Sequence, residues 1–271
     1  MFRLTGRLPA VVPAGFIFHI SHCGSTLIAN AMRNAPNTLV AAEAMPFVRL
    51  ARWHPEPSDR YLRARWFAFR RRLFEATFRL FAHYRTGGTE RLVVKFSSIN
   101  TLSMNFVRQA FPEVPCVLVV RDPNDVLVST LNENGWLLHK NQPGETEAFY
   151  GWTGPPRPFA EMSNEEYCAG LLGRHLEAAR EAVDARCKVI DYEDLNPKRM
   201  HEIAAFFGLE LPRESSELGK IFGVYSKDPS KALVYRDDRG MKRRALSREA
   251  CVAAQRWAMP HYIELRASGA F

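Results

Sequence analysis

The sequence predicts an α/β fold: one domain with a central parallel sheet flanked by helices. Three observations point to it. Short apolar runs recur at 16–20, 38–41, 91–96, 116–120 and 188–192, and longer helix-patterned segments separate them. Strands alternating with helices build a parallel sheet covered on both faces. The runs are also continuous rather than alternating, as in Leu92-Val93-Val94 and Val117-Leu118-Val119, which suits strands buried on both sides. Finally, 271 residues with 46% apolar content are enough for a substantial core. No linker-like stretch divides the chain, so a single domain over 1–271 is expected.

The first apolar run ends in Ser21-His22-Cys23-Gly24-Ser25-Thr26, and a helix is expected from there over 25–33. A strand, a glycine-containing turn and a helix N-terminus aim backbone N–H groups at one point, an arrangement suited to a phosphate. The turn lacks the Gly-Lys-Ser/Thr ending of nucleotide triphosphatase loops. Any junction of this kind with one glycine gives the same pattern, so the turn alone does not decide. His19, inside the run, reads as a packed core residue.

Helices are expected over 60–84, 103–110, 123–138, 164–184, 197–207 and 247–266. The segment 60–85 is dense in arginine and aromatics, and Phe67, Phe74, Phe78 and Phe81 lie at spacings that fit an amphipathic helix against the core. A wall of an acceptor site or a nucleic-acid face is the other use of such a segment. Asp122-Pro123 and Asn196-Pro197 each place an N-cap acceptor before an N1 proline. The segments 139–158 and 223–244 read as long loops, which in compact domains commonly bind ligands.

Arg121 follows the strand at 116–120, where open α/β sheets bind ligands. Asp125 and Ser129 share one face of the helix that follows. An arginine fork and a serine hydroxyl there make a second anion site. The alternative is that Arg121 only pairs with Asp122 or Asp125. Further on, Asp191-Tyr192-Glu193-Asp194-Leu195 leads into the helix that ends near Phe207-Gly208-Leu209. Tyr192 fits an aromatic base or an ordinary buried tyrosine.

The formal charge of +8, carried mostly by arginine, favours an anionic partner. The five cysteines are scattered, odd in number and without a Cys-x-x-Cys spacing. They argue for a reducing compartment and against a zinc ribbon. The first fifteen residues hold no apolar core of signal-peptide length, and no run reaches membrane-spanning length. The expectation is a cytoplasmic enzyme without a membrane span.

Taken in order, the three segments resemble the sulfotransferase family, which uses 3′-phosphoadenosine 5′-phosphosulfate as donor and has a P-loop nucleotide hydrolase-like fold. The resemblance runs from Gly15 to about Leu211, and Arg121-Asp122-Pro123-Asn124-Asp125 with Ser129 is its most specific part. It implies that Cys23, Gly24, Ser25, Thr26 and Leu27 hold the 5′-phosphosulfate. Arg121 and Ser129 would hold the 3′-phosphate, and Tyr192 would lie near the adenine. Lys95 takes the place of a strand-end lysine of cytosolic members, but Ser97 stands where those members have a basic histidine. His22 replaces the usual loop lysine or arginine. With an unperturbed pKa of roughly 6.5, its imidazolium would be favoured beside phosphates. Glu43 resembles the glutamate that many members place after the second strand, and it is the candidate base, although it also fits a plain helix-start glutamate. In the late basic loop Arg239, Lys242, Arg243 and Arg244 are candidates for the 3′-phosphate.

The resemblance implies sulfuryl transfer to a hydroxyl or amine of a small-molecule or carbohydrate acceptor, without a metal and without a nucleic-acid partner. A nucleotide-dependent kinase would need the missing loop lysine and Mg²⁺ ligands. A non-catalytic polyanion binder on the same fold is the remaining alternative.

Overall fold

The computed structural model describes residues 7–52, 58–86, 91–133, 135–142, 144–155, 157–212 and 245–268. Five strands form one sheet: β1 (Gly15–His19), β2 (Thr38–Ala42), β3 (Arg91–Lys95), β4 (Cys116–Val120) and β5 (Cys187–Asp191). Their order is β2-β3-β1-β4-β5, and all four pairings are parallel. Every residue of β1 and β4 is buried, as the continuous apolar runs require. The fold class expected from the sequence is therefore the one observed.

Parallel pairing sends all the carboxyl ends to one edge. The register sets Ile17 beside Lys95, His19 beside Val119, Ala42 beside Lys95 and Val120 beside Asp191. His19, Lys95, Arg121 and Asp191 thus reach the same rim, with β1 between β3 and β4. Chain reversal around a central strand opens a crevice at that rim, where such sheets take ligands.

The helices are α1 (Ser25–Met32), α2 (Met45–Ala51), α3 (Arg60–Thr86), α4 (Met104–Ala110), α5 (Pro123–Glu133), α6 (Glu145–Tyr150), α7 (Asn164–Ala182), α8 (Pro197–Phe206), α9 (Arg248–Trp257) and α10 (Met259–Ser268). The expected caps form: the Asn196 side chain accepts from the Arg199 N–H, and the Asp122 side chain from the Asn124 N–H. An aromatic core packs α2, α3 and α4 on the sheet. Phe18 stacks on Phe96 at 4.5 Å, and Phe78 meets Phe16, Phe47 and Phe111 within 6.3 Å.

Differences from the expected elements have local causes. The helix over 123–138 stops at Glu133, and a 3-10 turn, Gly135–His139, continues the chain, since glycine is a poor helix former. The helix over 247–266 is two helices, because Pro260 lacks the N–H that an unbroken helix would need. Within 139–158 lies the short helix α6, and Met45–Ala51, with Pro46 in its first turn, was not expected. The loop 223–244, with Arg239, Lys242, Arg243 and Arg244, lies outside the described residues. No helix among the described residues is long and apolar enough to cross a membrane.

His175, on α7, is buried, donates from Nδ1 to the Leu171 carbonyl at 2.8 Å, and stacks on Trp136. Burial lowers its pKa to about 4. The unfolded chain then binds the extra proton between about pH 6.5 and 4, so stability is complete above pH 6.5 and falls as the pH drops. The shift corresponds to about 3 kcal/mol at most. Urea unfolding from pH 7 to 4.5 should show this slope, and His175→Gln should flatten it.

Candidate active site

The β1–α1 loop takes a conformation that side chains seldom adopt. Ser21, His22 and Gly24 all have positive φ, at 84°, 48° and 80°. At Gly24 two constraints coincide. Besides its φ, a Cβ there would lie 2.5 Å from Leu195 Cδ1 and 2.9 Å from Tyr192 Cδ2. The glycine therefore lets the loop sit directly on the Tyr192–Asp194 turn after β5. Gly24 is also the N-cap of α1, and no side chain caps the first turn, where the Leu27 N–H donates to the Gly24 carbonyl at 2.9 Å. Ser25 and Cys23 are buried, whereas Thr26 and Leu27 are half-buried. Burial pushes the Cys23 thiol up to about 11, so it is packed inward as a neutral group.

Arg121 ties the three segments together. Its Nε and Nη2 donate to Asp125 Oδ2 at 3.1 and 2.7 Å, and Nη1 donates to the His22 carbonyl at 3.2 Å. Its Cζ lies 4.1 Å from the Tyr192 ring centre, a cation–π geometry. Ser129 is close by, donating to the Asp125 carbonyl one turn back. The pairing of Arg121 with Asp125 that the sequence allowed is thus present, and it is buried.

A second cluster joins the ends of β1, β2 and β3. The Lys95 side chain is 2% exposed and donates to Glu43 Oε1. Glu43 has a positive φ of 49°, and its N–H donates to the Lys95 carbonyl at 2.8 Å. Backbone and side chain of Glu43 are thereby both held by one residue, and its carboxylate remains half-exposed at the rim. His19 completes the group. Its Nδ1 accepts from the Ser21 N–H at 3.2 Å, so a neutral ring carries its proton on Nε2, 3.1 Å from the Phe96 carbonyl. Nε2 also lies 3.2 Å from Lys95 Nζ and 3.8 Å from Glu43 Oε1.

His22 points away from this group, with Nε2 3.3 Å from Glu133 Oε2 at the end of α5. Behind Tyr192, Asp191 is buried, accepts from the Tyr262 hydroxyl at 2.5 Å and lies 3.5 Å from Arg266 Nε. Burial and the Asp191 carboxylate push the Tyr262 phenol well up, which keeps it a donor. This contact fastens α10 to the end of β5.

His19 and Glu133 were not among the expected site residues. The parallel register offered a signal for His19, because a polar residue at the end of β1 must stand near the end of β3. Glu133 gave no such signal, since its contact depends on where α5 ends.

No family model matches the chain, and no curated protein matches it by sequence. Among solved structures, a sulfotransferase from Alicyclobacillus acidocaldarius is similar, with 17% identity over 95% of both chains and a TM-score of 0.43. The sulfotransferase domain of the curacin biosynthetic pathway matches at 14% identity over 91% of this chain and 98% of its own, with a TM-score of 0.46. The sulfotransferase domain of the Synechococcus PCC 7002 olefin synthase matches at 14% identity over 93% and 96%, with a TM-score of 0.49.

The two constraints at Gly24 give a direct test. Gly24→Ala should lower folding stability by about 2 kcal/mol in urea unfolding, through the positive φ and the clash with Leu195. Unchanged stability would mean that the loop is not pressed onto the 192–195 segment.

Proposed function

We propose that this chain is a sulfotransferase that uses 3′-phosphoadenosine 5′-phosphosulfate. One observation carries the reading: Arg121 contacts all three segments of the resemblance, through Asp125, the His22 carbonyl and the Tyr192 ring. The uncapped start of α1 fits the 5′-phosphosulfate, with Ser25 and Thr26 in its first turn. Arg121 and Ser129 fit the 3′-phosphate, and Tyr192 fits the adenine side. Arg239, Lys242 and Arg243 are assigned to the 3′-phosphate on the resemblance alone.

When bound, the donor supplies the sulfuryl group and the leaving bisphosphate. This chain's own residues supply position and charge. Glu43, half-exposed at the rim, takes the proton of the acceptor hydroxyl or amine. Lys95 orients Glu43 and places a positive charge beside the β1–α1 loop. His22 donates toward the leaving phosphate once it exchanges Glu133 for it. His19 joins the loop to the Lys95–Glu43 pair and sets their spacing. The acceptor is a small molecule or a carbohydrate, met by the segment 139–158. We assign one domain to 1–271, and the scattered, odd cysteines support a cytoplasmic setting.

Because Asp125 holds Arg121, a 3′-phosphate competes with that carboxylate. Adenosine 3′,5′-bisphosphate should raise the melting temperature, and ATP with Mg²⁺ should do so less. Arg121→Ala should abolish the shift. Asp125→Asn should lower the melting temperature of the free protein and enlarge the shift. No shift at millimolar bisphosphate would refute the donor assignment, and a larger shift with ATP and Mg²⁺ would indicate a kinase. Glu43→Gln should keep the bisphosphate shift.

A further inference from the structure

The long helix α3 carries two apolar lines. One faces the core: Phe67, Phe74 and Phe78 pack on Phe106 and Phe111 with ring centres 5.3–6.0 Å apart. Arg70 belongs to that side as well, donating to the Ala51 carbonyl at 2.9 Å with its guanidinium over the Phe106 ring. The second line, Leu62, Trp66, Phe69 and Leu73, advances in steps of four, three and four residues and so stays on one helix face. It does not enter the core. Leu62 is 51% exposed and Phe69 38%, and Trp66 stacks on Phe69.

The charge within this stretch is positive, bounded by Asp59, which accepts from the Leu62 N–H, and by Glu75, which pairs with Arg71. From 60 to 74 the chain holds six arginines and no acidic residue. Five of them, Arg60, Arg63, Arg65, Arg71 and Arg72, are exposed. Helical spacing sets Arg65 and Arg72, seven residues apart, along one flank of the apolar line, and Arg63 on the other. A partner that fits must offer negative charge and hydrocarbon together, over the roughly 20 Å that this stretch spans. Leu62 and Leu73 gain nothing from a phosphate backbone in water, whereas an anionic bilayer surface satisfies both the aliphatic line and the flanking arginines.

We infer that α3 docks this chain on anionic membrane surfaces, lying in the interface with Leu62, Trp66, Phe69 and Leu73 toward the acyl chains. The inference does not depend on the donor or the reaction. Its test is sedimentation of the full chain with phosphatidylcholine vesicles, with and without 30% phosphatidylserine, at low and high salt. Binding to the anionic vesicles should exceed binding to the neutral ones at least about tenfold and weaken with salt. Leu62→Asn with Phe69→Asn, and separately Arg65→Gln with Arg72→Gln, should each weaken binding about tenfold, while melting temperatures stay near that of the parent. Quenching of tryptophan fluorescence by brominated lipid should fall in Trp66→Phe, which covers the case of an unstable double variant. Absence of binding to anionic vesicles would overturn the inference. So would loss in the arginine variant alone with equal affinity for a single-stranded oligonucleotide, which would make α3 a soluble polyanion face. Retained binding in both double variants, or unchanged quenching in Trp66→Phe, would also overturn it.

Discussion

A buried ammonium has to be satisfied by its neighbours, and the Lys95 ammonium organises the rim of the sheet for that reason. Its side chain is 2% exposed. An isolated charge taken so far from water costs several kcal/mol unless it is paired. The partner is Glu43, which stands in a positive-φ conformation just after β2. The backbone bond from the Glu43 N–H to the Lys95 carbonyl holds that strained residue in place. His19 lies alongside, its Nε2 3.2 Å from the ammonium, and its Nδ1 accepts from the N–H of Ser21 in the β1–α1 loop. One charge thus fixes the ends of β1, β2 and β3 relative to the loop.

The other half of the rim follows the same logic from β4. Arg121 is buried, and Asp125 supplies its countercharge from one helical turn away. The guanidinium carbon also lies 4.1 Å from the Tyr192 ring centre, which links the end of β4 to the turn after β5. Tyr192 and Leu195 in turn limit the residue at position 24 to glycine, and the start of α1 is left without a side-chain cap. The loop geometry is a consequence of packing behind it as much as of its own sequence.

The sheet was legible because its signal is strong and local. Continuous apolar runs mark strands buried on both faces, and the five strands lie within a residue of the expected positions. Two-residue caps such as Asn196-Pro197 were equally plain, since both partners are sequence neighbours. Helix ends were less so, because Gly135 and Pro260 interrupt segments whose periodicity continues past them. At the rim, residue types and their spacing gave Arg121 and Ser129 and allowed the Arg121–Asp125 pair, whereas Glu43 and Lys95 came only through the family resemblance. Glu43–Lys95 and His19–Lys95 bridge more than fifty residues of sequence, and only the strand order brings them together. His22 shows the limit most clearly: its place in the loop was readable, whereas its turn toward Glu133 depends on where a helix stops.

Three basic side chains of the rim each face a carboxylate: Lys95 with Glu43, Arg121 with Asp125 and His22 with Glu133. An anion entering this site therefore meets groups that already have partners, and binding is an exchange rather than a capture. The exchange costs least at His22 and Glu133, whose carboxylate is 63% exposed and returns to water when released. It costs most at Arg121, where Asp125 is nearly as buried as the arginine, so a released carboxylate would lose its countercharge in a dry setting. The pairs thus keep the free site compact and its side chains placed, at the expense of affinity for any single phosphate. A ligand overcomes this by engaging the β1–α1 loop and Arg121 together. Under the proposed function, this suits a donor with anionic groups at both ends better than one with a single phosphate chain.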